Sequence, residues 1–175
     1  YLIKKETSIL NLITQNKNNE KILAIIGGGK MDDKLKLLHN LSHKVNHIYI
    51  AGGNVNSIIK NNMDEYLEQI SSNKAEITIM KDGLSSDTFL GIPEYSYTSE
   101  LKETNSFYDI GMKSINELSQ LIHEHDIIFW NGTLGVVENE LYVEGSRMLV
   151  DILMKESANK KIIIGGGDTG GFVNK

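Results

Sequence analysis

"KILAIIGGGKMDDK", residues 21 to 34, joins an unbroken apolar run to three glycines and then to two lysines spaced four apart. A half-exposed strand would alternate, so a continuous run of this kind predicts a strand buried on both faces. The same pattern returns at "HIYIA" 47–51, "EITIM" 76–80, "DIIFW" 126–130 and "KIIIG" 161–165. Between these runs the spacing is helical near 32–43, 54–71, 114–125 and 140–157. Ser114 followed by Glu117 is a capping-box pattern that puts a helix start just after Gly111. Five short apolar strands alternating with helices predict an α/β fold, a three-layer Rossmann-like parallel sheet with right-handed crossovers and helices on both faces. Ligands of such sheets sit outside the carboxyl ends of the strands. Every glycine-rich turn of this chain falls at one of those ends.

At 175 residues the chain fits one domain able to bury a core without metals or disulfides. Its 18 basic and 23 acidic residues give a net charge of -5, which offers no electrostatic reason to bind nucleic acid or an anionic membrane. The absence of cysteine removes thiol catalysis and zinc-thiolate sites, and makes an intracellular, cytoplasmic setting the expectation. No apolar run approaches the roughly 20 residues of a membrane span, and no signal-peptide pattern opens the chain. The first residue is Tyr1 rather than Met, which suggests an excised fragment. Leu2, Ile3, Ile9, Leu10, Leu12 and Ile13 are spaced as on an amphipathic opening helix, ended by "QNKNNE" at 15–20. The stretch 82–108 keeps no periodicity, holds the single proline, Pro93, and reads as an irregular excursion or a short edge hairpin.

Lys30 and Lys34, placed in the first turns of a helix, would share one face. Cations there oppose the helix macrodipole by roughly 0.3 to 1 kcal/mol each, an arrangement that makes sense when a phosphate accompanies them. The alternative is that Asp32 and Asp33 supply the favourable charge and the lysines face water. A Walker A loop is excluded, because Ala24 and Met31 stand where that motif needs Gly and Ser or Thr. In "WNGTLGVVE", 130–138, Asn131 can donate to a phosphoryl oxygen and Glu138 can accept from sugar hydroxyls, although a structural Asn-Gly turn explains the run equally well. Gly165, Gly167 and Gly170 match G-x-G-x-x-G, but no strand and acid follow at the distance a dinucleotide fingerprint requires. Asp168 instead suggests a magnesium-directed carboxylate, with Thr169 and backbone N–H groups offering donors to phosphate oxygens; its plain structural role would be an N-cap of the terminal helix, and the two roles are compatible. His39, His43 and His47 recur at intervals of four, yet His47 opens a strand, so the three do not share a helix and a solvated face accounts for them.

Taken in order, "GGGKMDDK" 27–34, "AGGN" 51–54, "YDIGM" 108–112, "WNGTLGVVE" 130–138 and "GGGDT" 165–169 make the chain resemble the C-terminal, nucleotide-binding domain of phosphoglycerate kinases. The resemblance covers nearly the whole of residues 1–175, with "YLIKKE" and residues 1–16 similar to the helix that joins that family's two domains. It implies binding of ADP or ATP with Mg2+, and phosphoryl transfer between 1,3-bisphosphoglycerate and ADP in glycolysis. By motif position, Lys30 would contact the transferring phosphoryl group and Lys34 the nucleotide phosphates. Gly28 and Gly53 would line the adenine cleft, Asn131 would help hold the phosphates and Glu138 would bind ribose. Asp168 would hold magnesium, while Thr169 and the backbone of Gly166 and Gly167 would meet the phosphates. The resemblance further implies a monomer that reaches 3-phosphoglycerate only through an N-terminal domain absent from these residues, as is the serine- and glycine-rich tail. Isolated, such a fragment is not expected to turn over.

The departures from the family pattern keep a second reading open, a non-catalytic kinase-like or interaction domain. Phe107 stands where the family usually has a glycine against the adenine, so its ring would either stack on the base or fill its pocket. Asp32 replaces a small residue beside the lysines. Gly29, Ala51, Asn54, Met112 and Thr133 stand where Ala, Gly, Met, Pro and Pro are usual. A nicotinamide dehydrogenase is a distant third reading.

Overall fold

The structure, a computed structural model, describes residues 19–71 and 73–174. The expected opening helix at 1–16 lies outside the described residues. Five strands form a parallel sheet: β1 (Ile22–Ile26), β2 (His47–Ile50), β3 (Glu76–Ile79), β7 (Ile127–Asn131) and β8 (Lys161–Gly165), in the order β3-β2-β1-β7-β8. Every residue of β1, β2 and β7 is buried, which is why those runs are continuous and not alternating. In register, Ile26 lies opposite Ile50 on one side and Asn131 on the other.

The helices that cover the sheet are α1 (Leu35–Ser42), α2 (Asn54–Lys60), α3 (Asp64–Ser71), α4 (Met112–Glu124), α5 (Glu144–Glu156) and α6 (Gly167–Val173). The chain leaves β1 toward β2 and β3, then re-enters at β7 and moves the other way, so right-handed crossovers put α1 to α3 on one face and α4 and α5 on the other. Tyr49 of β2 reaches through one layer to donate to the Ser114 carbonyl at 3.1 Å, and Tyr66 of α3 donates to the Leu35 carbonyl at 2.9 Å. Each long helix buries one stripe: Leu37, Leu38 and Leu41 in α1, Ile115, Leu118 and Ile122 in α4, Leu149 and Leu153 in α5.

Four expectations change. The helical pattern over 54–71 is two helices, because Asn62 turns into the left-handed region at φ 48 and closes α2 as a C-terminal cap does. The start of α4 falls just past Gly111 as expected, but Ser114 is no cap. Its hydroxyl and backbone N–H both bind Asp82, whose carboxylate also takes the Lys113 N–H at 3.1 Å. The stretch 82–108 is a second, antiparallel sheet of β4 (Asp82–Ser86), β5 (Glu94–Tyr97) and β6 (Ser106–Ile110), ordered β5-β4-β6, with a register shift between Leu84 and Ser85. Its strands are short and polar, which hid their period. Finally, the helix after Gly27–Gly29 begins late: Asp32–Lys34 form a single 3-10 turn, closed by Lys34 N–H on the Met31 carbonyl at 2.7 Å. Lys30 precedes that turn, so the two lysines are not neighbours on one helix.

Candidate functional site

Connections leave β1 and β7 in opposite directions, so their carboxyl ends diverge and open a crevice between them. Two glycine turns fill its floor. The Gly27 N–H donates to the Asn131 carbonyl and the Gly28 N–H to the Thr133 carbonyl, both at 2.8 Å. Gly132 has φ 88, and a Cβ there would lie 2.1 Å from the Gly27 carbonyl oxygen, so the residue is required both for conformation and for close approach. The third wall comes from β8, which turns through Gly166 at φ 86 into α6. The Thr169 hydroxyl accepts from the Gly132 N–H at 2.8 Å and ties that wall to the floor.

These turns enclose a groove of about 590 Å³ lined by Gly28, Lys30, Asp33, Lys34, Gly53, Tyr108, Asn131, Val136, Val137, Glu138, Gly166, Gly167, Asp168 and Thr169, among others. Lys30, Glu138 and Asp168 are exposed to solvent, and Asn131 and Thr169 are buried at the base. Lys34 donates through Nζ to Oδ1 of Asn131. The Asn131 amide nitrogen then faces the Gly165–Gly166 turn. One buried asparagine thus connects a cation from the β1 side to the β8 wall.

Of the residues singled out in the sequence, the groove gathers Gly28, Lys30, Lys34, Gly53, Asn131, Glu138, Gly166, Gly167, Asp168 and Thr169. Three details differ. Phe107 is 1% exposed, with its ring over Gly83 and its backbone held by the Asn56 amide, so it fills the core and does not face the groove. Neighbouring strand residues point to opposite sides, and Tyr108 takes the groove position. The acid beside the lysines is Asp33 rather than Asp32. Asp168 does not cap α6: Gly166 holds the cap position, and Asp168 lies in the first turn. Among the histidines, His39 and His43 meet edge to face at 5.1 Å, whereas His47 pairs with His125 at 5.9 Å. Among the described residues no group of three or more His, Cys, Asp or Glu is placed to hold a metal ion.

Asp109 was not visible as a site residue in the sequence. It is 1% exposed and accepts from the Gly145 N–H near the start of α5 and from the Ile110 N–H, both at 2.9 Å. Burial pushes its carboxyl up to about 7, against the pull of those two N–H groups, with a further push from Glu144. A Cβ on Gly135 or Gly145 would come within 2.2 or 2.4 Å of its Oδ1. Gly135 and Gly145 lie 26 and 36 residues from Asp109 along the chain, so no local pattern announced this contact. Asp109 lies against Gly135 and holds the start of α5.

A larger hollow of about 860 Å³ adjoins the groove between α5 and α6 and shares Glu138, Gly167 and Asp168 with it. Its only lining cation among the described residues, Arg147, is engaged by Glu140 at 3.0 Å and Glu144 at 3.8 Å. The groove, with two lysines against Asp33, Glu138 and Asp168, is the better anion site. Its carboxylates also mean that a polyphosphate would enter with a companion cation.

Comparison with known proteins places this geometry in a family. The family model described as "Phosphoglycerate kinase" matches residues 1–175. The phosphoglycerate kinase of Coprothermobacter proteolyticus is 30% identical over 191 residues, covering 100% of this chain and 48% of that protein. Phosphoglycerate kinase 2 of Mus musculus is 30% identical over 190 residues, covering 97% of this chain and 45% of that protein. The chain therefore spans about half the length of these curated relatives. Among solved structures, the phosphoglycerate kinase of Coxiella burnetii superimposes with a TM-score of 0.82 at 22% identity, over 96% of this chain and 48% of that one, a likeness of fold. The chain belongs to the phosphoglycerate kinase family.

Proposed function

We propose that this chain is the nucleotide-binding half of a phosphoglycerate kinase, holding ADP or ATP with magnesium while a phosphoryl group passes between 1,3-bisphosphoglycerate and ADP in the whole protein. The observation that carries this reading is the meeting of Lys30, Lys34, Asn131, Glu138 and the Gly166–Thr169 turn around one groove at the switch point of the sheet. Phosphoryl transfer asks mainly for positioning and charge stabilisation, which lysines and backbone donors supply. In this reading Lys30 neutralises the transferring group, Lys34 and Asn131 hold the remaining phosphates, and Glu138 accepts from the ribose.

The donor set fits a magnesium ion that arrives with the nucleotide. Such an ion keeps several waters and needs one or two carboxylates beside the phosphates, which Asp168 provides. Bound there, it would neutralise charge on the phosphate oxygens. The test is turnover by the whole natural protein: Lys30→Ala should lower kcat by about 100-fold or more. Absence of MgADP binding at millimolar nucleotide by the folded protein defeats the reading.

A second reading, a non-catalytic domain of the same family, is favoured by Asp33, whose carboxylate lines the groove beside the lysines and opposes an incoming phosphate. Measured kinase turnover that Lys30→Ala abolishes rules it out.

A further inference from the structure

Asn54, the first residue of α2, is fully buried behind the glycine turn that follows β1. Its side-chain amide donates to the Gly27 carbonyl and its backbone N–H to the Gly28 carbonyl, both at 2.7 Å. A planar trans peptide presents its carbonyl and the next N–H on opposite sides, and here the Gly28 N–H is taken by the Thr133 carbonyl at 2.8 Å. The Gly27–Gly28 peptide is therefore held at both ends, by α2 on one side and by the turn after β7 on the other.

Burying an amide is costly unless its bonds are made, and Oδ1 of Asn54 has no hydrogen-bond partner among the described residues. An apolar side chain would avoid that cost, so the bond to Gly27 is what an amide gains at this position. The bond steadies the approach to Lys30. Gly27, Gly28 and Gly29 have the greatest backbone freedom of any residue type, and a Cβ on Gly29 would meet nothing within 4 Å, so packing does not fix that turn from the groove side. Just beyond Lys30, Met31 is fully buried. The exposed Lys30 thus takes its place from two backbone anchors, Met31 and the glycine turn held by Asn54.

We propose that Asn54 is a positioning residue: by clamping the Gly27–Gly28 peptide it fixes where Lys30 stands in the groove, a role that rests on the function proposed above. A cation that neutralises a transferring phosphoryl group has to be placed in advance, and a displacement of about 1 Å can cost about 100-fold in rate. Nucleotide affinity draws on Asn131, Glu138 and Thr169, which stand on β7, the segment after it and α6. Asn54 should therefore act on kcat more than on affinity.

Turnover and MgADP affinity of the whole natural protein test the assignment, using Asn54→Leu, which keeps the bulk and removes the donor. The expected result is a kcat lowered about tenfold with the MgADP Kd from calorimetry changed less than about threefold. Two further readouts separate positioning from a loss of stability. In a Lys30→Ala background, Asn54→Leu should lower kcat less than about twofold, because the side chain it places is gone. Gly29→Ala, which stiffens the turn where there is room for a methyl group, should recover part of the rate lost in Asn54→Leu. Parental kcat in Asn54→Leu overturns the proposal, as does an undiminished tenfold loss in the Lys30→Ala background. Where Asn54→Leu does not fold, Asn54→Ala removes the same donor without adding bulk and is read in the same way. A parent protein without turnover defeats the functional reading and this assignment with it, whereas an active parent with a silent Asn54→Leu defeats the assignment alone.

Discussion

Asp109 shows how one side chain can matter without touching a ligand. Its carboxyl is raised to about 7 chiefly by burial, so the folded state holds a proton that the unfolded chain releases near pH 4. Below about pH 4 both states are protonated and Asp109 has no effect on stability. Between about pH 4 and 7 the unfolded state loses the proton first, so stability falls as pH rises, by an amount on the order of 4 kcal/mol that is complete above pH 7. His47 acts the other way: burial lowers its pKa against the pull of Glu76, so its contribution is lost as pH falls below about 6.5. Asp109→Asn removes only the first slope. The stability of the variant relative to the parent, from urea unfolding, should rise between pH 5 and 7.5, and a constant difference would show that Asp109 does not titrate there. Lys30, Asn131, Glu138 and Asp168 were legible in the sequence because glycine turns at strand ends announce them. Asp109 and Tyr108 were not, since their roles depend on which way a strand faces.

The helices and strands around the site are joined by few but specific contacts, and Asp82 is the clearest. It begins β4, and its buried carboxylate accepts from Tyr95 at 2.6 Å, from the Ser114 N–H at 2.8 Å, and from the Lys113 N–H and Ser114 hydroxyl at the start of α4. Burial alone would raise its pKa, but these donors together bring it below the usual carboxylate range. Asp82→Ala leaves buried donors without a partner, so it should lower stability by about 3 kcal/mol at pH 7, measured by urea unfolding. The loss should narrow as pH falls through the depressed pKa, where the parent's carboxylate is itself neutralised. An effect under about 1 kcal/mol would show that helix propensity, not this cap, starts α4. The capping pattern Ser114-x-x-Glu117 pointed to the right helix for the wrong reason. Local spacing cannot distinguish a serine that caps its own helix from one that receives a cap from a strand 32 residues earlier.

For the molecule as a whole, the proposed function links ligand binding to stability: a nucleotide held in the groove at the ends of β1, β7 and β8 would bind only the folded state. MgADP at about 100 times its Kd should stabilise the whole protein by about 2.7 kcal/mol, read as a rise in Tm. Chelation of magnesium with EDTA should remove most of that rise, since two lysines face three carboxylates in the groove. An undiminished rise with EDTA would show that the groove needs no metal to accept the phosphates. The sequence alone determined the five strands of the parallel sheet and the glycine turns at their carboxyl ends, because continuous apolar runs and glycine turns each carry a physical meaning, although the edge strand β3 and the start of β8 are not buried as those runs predicted. Tertiary structure alone decided that Phe107 is core and Tyr108 faces the groove, that Asp33 and not Asp32 stands by the lysines, and that Asp82 and Asp109 cap helices from afar. Those outcomes depend on strand orientation and on contacts between residues distant along the chain, and neither composition nor spacing encodes them.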